Sequence, residues 1–255
     1  MRVEKENKNT YHFHEDKRVG TGYIFEFLAS KLYNEDRMNY FIDFDFYDQP
    51  RKDMVEYLIE EVKSIKEENY PHMNARVYHC CFSHAKDKID FYKSIDGFQA
   101  DESMVILRKD IKKATVDSIL YDVIEDNLND HMESFLESHG QIFVSAPYDE
   151  EKLDRLLKQG MKSLGIYDKD ICIANILLIE DNNQAWVEDM FVKESYRKQG
   201  LASYLLKFAD SYFLDKGYKE VFLEVWYAND RAVKCYKKHG YTYDRTTEVS
   251  IGKSI

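Results

Sequence analysis

Two adjacent carboxylates, a short cationic loop with one glycine, and a tyrosine on a late helix are the groups in this 255-residue chain whose types and spacing could do chemistry. Glu188 and Asp189 lie in the run 186–192, whose closing residues Met190, Phe191 and Val192 suit a buried strand. Side chains alternate along a strand, so the two carboxylates are expected on opposite faces, with one of them looking into a cleft. The loop follows as Arg197, Lys198, Gln199, Gly200, Leu201 and Ala202. A glycine and an alanine there let backbone approach a partner closely, and the free N–H groups of a helix start point at it. With Arg197 and Lys198 alongside, the expected occupant is an anion, most simply a pyrophosphate. An ordinary tight turn with surface cations has the same local pattern. Tyr236 carries a phenol of ordinary pKa ~10, which keeps its proton at neutral pH.

The elements that must position these groups are legible around them. Residues 171–179 read as a strand, Asp181, Asn182 and Asn183 as a turn, and 186–192 as the returning strand. Leu201, Leu205, Phe208, Ala209 and Tyr212 mark one face of a helix, which Gly217 stops. A strand over 220–226, a helix over 231–238 ending at Gly240, and a strand over 246–251 closing the sheet complete the second half. Upstream, 115–120 reads as a strand, 121–138 as a helix ended by His139 and Gly140, and 141–145 as a short strand. Asp149, Glu150 and Glu151 open a helix holding Leu153, Leu156 and Leu157, and 161–167 is a strand.

Arg197-x-x-Gly200-x-Ala202 between an apolar strand and a helix resembles the pyrophosphate loop of the GNAT family of acyl-CoA N-acyltransferases. The segment Asn229-x-x-Ala232-x-x-x-Tyr236-x-x-x-Gly240-Tyr241 resembles the next element of the same family, in the right order. The resemblance covers residues 112–255. It implies acetyl-CoA as co-substrate, held by the backbone of Met190, Phe191 and Val192, by the loop 197–202, and by Asn229 on the pantetheine arm. It implies Glu188 as a base acting through water, as in polyamine and related amine acetyltransferases, and Tyr236 as the acid that protonates the departing thiolate. Cys235 has no evident activating partner, which favours direct attack of an amine in a ternary complex over a cysteine nucleophile. A non-catalytic acyl-CoA-binding sensor or interaction module is the alternative from another class.

The first half repeats the pattern in weaker form. FYKSIDGF at 91–98 resembles CYKKHGY at 235–241, and each follows a strand, an amphipathic helix and another strand. The strand is 37–47, with Tyr40, Ile42, Phe44 and Phe46 on one face and Asp43 and Asp45 on the other. The helix is 54–67, with Asp53 as its expected cap, and the next strand is 75–82. A helix over 87–92 and a strand over 104–107 follow, while 22–32 is ambiguous between helix and strand. Between strand and helix, Gln49, Pro50, Arg51, Lys52, Asp53 and Met54 contain no glycine, and Asp53 sets a negative charge where a phosphate would sit. The expectation is an α/β chain of two GNAT-like domains, each a twisted, mixed, mostly antiparallel sheet flanked by helices. A degenerate domain at 1–111, acting as scaffold and substrate wall, would precede an acyl-CoA-binding domain at 112–255.

Composition bounds the partners. The chain carries a formal net charge of −11, with 17 Lys and Arg against 22 Asp and Glu over 1–110 and 19 against 25 over 111–255. Both halves being acidic disfavours nucleic acid and suits a small cationic amine substrate. Cys80, Cys81, Cys172 and Cys235 follow no disulfide spacing. No run approaches the ~18 apolar residues of a membrane span, and 1–10 lacks a signal-peptide core. A cytoplasmic protein is expected, with a homodimer left open. A zinc site at His79, Cys80, Cys81 and His84 is disfavoured because adjacent strand residues face opposite ways, and His12 with His14 lacks a third ligand. No metal is expected.

Overall fold

The computed structural model describes residues 1–29, 36–112, 121–125, 128–143 and 147–255, and divides into two compact units. Unit 1 comprises Met1–Met104 together with Thr246–Ile255, and unit 2 is Val105–Arg245. Each is a mixed α/β layer with a mostly antiparallel sheet and helices packed on it.

Unit 1 contains β1 (Arg2–Lys5), β2 (Thr10–His14), β3 (Arg18–Leu28), β4 (Arg37–Phe46), α1 (Lys52–Asn69), β5 (Asn74–Phe82), α2 (Lys86–Lys93) and the first part of β6 (Gln99–Asp110). The ambiguous segment after Gly20 is therefore strand as far as Leu28. Strand β2 pairs on both sides, with β1 and with β3. The alternation of β4 works as read, with Tyr40, Ile42 and Phe44 buried against Met54, Val55, Leu58 and Val62 of α1. Ladders β1–β2, β2–β3 and β3–β4 are antiparallel, whereas β4 and β5 are parallel, joined by the α1 crossover.

The last strand, β12 (Thr242–Ser254), supplies the main departure from the expected domain boundaries. Its C-terminal part lies in unit 1, antiparallel to β5 from Glu248 opposite Phe82 to Ser254 opposite Arg76. It does not close the sheet of the second half. Ile251 is fully buried in the unit 1 core, and Gly252 lets the strands approach closely, because a Cβ there would come within 2.3 Å of the Val77 carbonyl oxygen. Ser250 meets the buried Arg76, which also pairs with Asp101. The unit 1 order is β1-β2-β3-β4-β5-β12-β6. Periodicity identifies a strand but not its neighbour, and this neighbour is some 170 residues away in sequence.

Unit 2 contains the end of β6, β7 (Ile124–Glu125), α3 (Leu128–Ile142), α4 (Glu150–Lys158), β8 (Lys162–Asp168), β9 (Ile171–Asp181), β10 (Gln184–Val192), a 3₁₀ turn at Glu194–Tyr196, α5 (Leu201–Asp215), β11 (Glu220–Trp226) and α6 (Asp230–Lys238). Its order is β6-β11-β10-β9-β8-β7. The strand expected at 115–120 falls outside the described residues, as does the end of the one expected at 141–145. Helix α3 runs through His139 and Gly140, where a stop was expected, and starts later than residue 121. Asp149 caps α4 by accepting the Lys152 N–H at 2.7 Å. Asn182 and Asn183, both at positive φ, make the two-residue turn between β9 and β10. Residues 172–178 of β9 are all buried, with α5 and α3 both packing on this strand. Its apolar run is that of a strand covered on both sides.

Candidate functional site

β10 is the organising strand of unit 2. It pairs with β9 along its length and in parallel with β11 only from Ala185–Val221 to Val187–Leu223. Just beyond, the β9–β10 register shifts between Val187 and Asp189, so Glu188 is the extra residue of a β-bulge. The bulge changes which side chains face which way. Before it, Ala185 and Val187 belong to the core under α5; after it, Met190 and Val192 pack there, and Phe191 joins the cluster of Phe135, Tyr148 and Leu153. Strict alternation would have reversed the last three.

The two carboxylates therefore do not stand on opposite faces. Both come within reach of the Tyr148 hydroxyl, which donates to Oε1 of Glu188 at 3.4 Å, while Asp189 Oδ2 lies 3.3 Å from Nε2 of the buried His139. The Glu188 side chain is open to solvent on one side but surrounded by protein on the others. This desolvation, with the Asp189 and Glu224 carboxylates nearby, raises its pKa above the usual carboxylate value, against the opposing influence of Lys152.

Arg197 turns back to donate from Nε to the Val192 carbonyl at 3.1 Å, tying the loop to the end of β10. Lys198 and Gly200 both adopt positive φ, +63° and +84°. Gly200 is the N-terminal cap of α5, and no side chain caps that helix or adds an acidic group to its first turn. A Cβ built on Gly200 would meet nothing within 4 Å. Leu201 is buried beneath. The first-turn N–H groups thus border open space with Arg197, Lys198 and Gln199 at the margin, an arrangement that fits a pyrophosphate.

Asn229 caps α6 through Oδ1, which accepts the Ala232 N–H at 3.2 Å. One turn on, Tyr236 is 8% exposed and packs edge-on to Tyr241 at 5.7 Å. Burial first, then the nearby Cys235 and Asp189, push its pKa above the ordinary phenol value. The Cys235 thiol is likewise pushed up by burial, so it is not a thiolate at neutral pH. The structure brings Glu188, Asp189 and Tyr236 into one electrostatic neighbourhood, adds Tyr148, His139, Lys152 and Glu224 to it, and sets the 197–202 loop at the start of the next helix. Nothing local in the sequence marks Tyr148 or His139, because their partners are 40 and 50 residues away. A separate cavity of about 440 Å³ in unit 2 is lined by Arg108, Lys109, Asp110, Lys112, Asp210, Gly240 and Thr242, and by none of these groups.

Residues 122–241 match the model of the GNAT acetyltransferase family. This part of the chain is a GNAT domain. Solved structures extend the likeness of fold over nearly all of it. A GCN5-related N-acetyltransferase from Sphaerobacter thermophilus covers 98% of this chain over 82% of its own, at TM-score 0.56 and 10% identity. A probable N-acyltransferase from Enterococcus faecalis covers 95% at TM-score 0.61 and 10% identity, this chain spanning 61% of it. A GCN5-related N-acetyltransferase from Anabaena variabilis covers 96% at TM-score 0.56 and 10% identity, this chain spanning 62% of it. Both units are accordingly GNAT-like in fold.

Within unit 1, the same β-β-α-β-α sequence of elements carries different chemistry. The β3–β4 ladder runs without a bulge. Arg51, the first residue of the α1 terminus, is held by Asp53 at 2.6 Å and Glu15 at 2.8 Å, so carboxylates of the chain occupy this helix start. Asp53 does not cap α1; it lies in the first turn, its pKa lowered by Arg51. Tyr92, the counterpart of Tyr236 in the repeat, is fully buried under the His79 ring at 4.1 Å, and burial lowers the pKa of His79 to about 4. Among the described residues, no three His, Cys, Asp or Glu side chains are grouped to hold a metal ion. No described helix is long and apolar enough to cross a membrane.

Proposed function

We propose that unit 2 transfers an acetyl group from acetyl-CoA to a primary amine of a small cationic molecule, by direct attack in a ternary complex. The observation that carries this reading is the bulge at Glu188, which sets a carboxyl of raised pKa on the strand that leads into an uncapped helix start fit for a pyrophosphate. Membership of residues 122–241 in an acetyltransferase family supports acyl transfer as the reaction class.

Acetyl-CoA, when bound, supplies the activated acyl group. The backbone of Met190, Phe191 and Val192 beyond the β10–β11 ladder would pair with the pantetheine amides, the loop from Arg197 to Ala202 would hold the pyrophosphate, and Asn229 would border the arm. Glu188, through a water, takes a proton from the substrate ammonium so that the amine can attack. A carboxyl with raised pKa is a stronger base than an ordinary one. Tyr236, kept protonated by burial, gives its proton to the departing thiolate. Asp189 and Glu224 add negative charge suited to a cationic acceptor.

Unit 1 we read as a degenerate partner that holds no acyl-CoA: Asp53 and Glu15 already engage the cation at its helix start, and His79 covers its tyrosine. Calorimetric titration with acetyl-CoA followed by an amine screen for thiol release tests the whole reading. One site per chain and thiol release with an amine are expected. Two sites would overturn the reading of unit 1, binding without turnover would leave a sensor, and no binding would refute the proposal.

A further inference from the structure

Behind the carboxylates lies a buried group that the proposed reaction leaves without a task. His139 of α3 is fully buried, its ring stacked between Phe143 at 4.4 Å and Tyr148 at 4.2 Å. Its Nδ1 accepts the backbone N–H of Tyr148 at 3.3 Å, which puts the ring proton on Nε2, and Nε2–H donates to Asp189 Oδ2 at 3.3 Å. Tyr148 is 7% exposed, its hydroxyl donates to Glu188 Oε1 at 3.4 Å, and the Lys152 ammonium sits 3.9 Å from its ring centroid.

A bulge residue is not oriented by its ladder, and a glutamate left to itself has several rotamers, most of them wrong for proton transfer. We propose that Tyr148 is the positioning residue for Glu188, and that His139 locks Tyr148 and Asp189 together from behind, so that two buried rings fix the geometry of the bulge. The inference rests on the acyl-transfer reading for its catalytic meaning and on the geometry alone for the restraint. Four charged or titratable groups face Glu188: Asp189 on its own strand, Glu224 on β11, Lys152 on α4, and Tyr148 before it. Among the described residues, only the Tyr148 hydroxyl donates a hydrogen bond to it, which favours the ionised carboxylate.

Carbon-13 titration of the glutamate carboxyls, with Glu188 assigned by its absence in Glu188→Gln, tests the restraint without turnover. In Tyr148→Phe, Glu188 is expected to titrate at higher pH than in the parent protein. The acid limb of kcat/KM should move the same way, with kcat at pH 7 down about threefold to tenfold and KM little changed, as suits a long hydrogen bond to a charged group. An unmoved Glu188 titration overturns the proposal, even in an active enzyme. A moved titration in a protein with no acyltransferase activity supports the restraint and refutes the reaction. Should Tyr148→Phe not fold, His139→Gln keeps a donor for Asp189 but removes the ring on which Tyr148 rests, and must shift Glu188 in the same direction.

Discussion

Replacing Gly200 with valine separates the conformational role of this residue from its place in ligand binding. In the free protein a Cβ at this position meets no atom within 4 Å, so the substitution starts in open space. What remains is the backbone, held at φ +84°, where a side chain costs about 2 kcal/mol. Gly217, beyond the other end of α5, has φ +90° and equally open space, so Gly217→Val carries the same strain without touching the helix start. The two variants should lose similar stability in urea. They should differ in calorimetric affinity for acetyl-CoA. The valine at 200 projects into the space before the first turn, denying the pyrophosphate two charge-assisted backbone hydrogen bonds. At about 1.5 kcal/mol each these total about 3 kcal/mol, or roughly a hundredfold in Kd. Gly217→Val should bind as the parent does. Equal affinity of the Gly200 variant and the parent would refute the pyrophosphate reading of this loop, and equal weakening of both variants would trace the effect to strain.

Glu188→Gln should remove the acid limb of the rate profile: the parent loses activity as pH falls through the raised pKa of this carboxyl, whereas the variant should be slow and flat there, about a hundredfold down at pH 7 in steady-state assays of thiol release. Tyr236→Phe should lower kcat about tenfold to a hundredfold while acetyl-CoA still binds by calorimetry, because the hydroxyl is needed for the leaving group and the ring for packing. Lys109→Met should destabilise unit 2 by about 3 kcal/mol in urea denaturation, since it strands Asp210, 3% exposed, without its cation. The pKa of Asp210 is raised by burial despite that pairing, so desolvation exceeds attraction there. Lys109→Met combined with Asp210→Leu should accordingly recover most of the loss.

Much of unit 2 is readable from local pattern. The strand, glycine loop and helix from β10 into α5, then β11 and α6, each carry their own periodicity and their own stop, so residues within a few positions of one another decide them. The same locality explains what stayed hidden. An extra residue in a strand leaves no compositional mark, and the bulge at Glu188 is visible only once β9 is laid beside β10. The stop expected at His139 and Gly140 failed because a glycine costs a helix about 1 kcal/mol, less than the stacking of His139 between two aromatic rings supplies. In unit 1 the absence of a glycine at 49–54 was plain in the sequence, but the engagement of Arg51 by Glu15 spans 36 residues and was not.

Because β12 lies between β5 and β6 in unit 1, the order of synthesis and the order of folding cannot coincide. Every other strand of unit 1 has been made by Asp110, yet β5 lacks its β12 partner until 246–254 are made, about 160 residues after Phe82. For that interval the nascent chain carries an open β edge beside an apolar core that still lacks Ile251, the kind of surface that pairs with the wrong strand or recruits a chaperone. The unit that is made first is thus the one that must wait for the C-terminal strand to finish it.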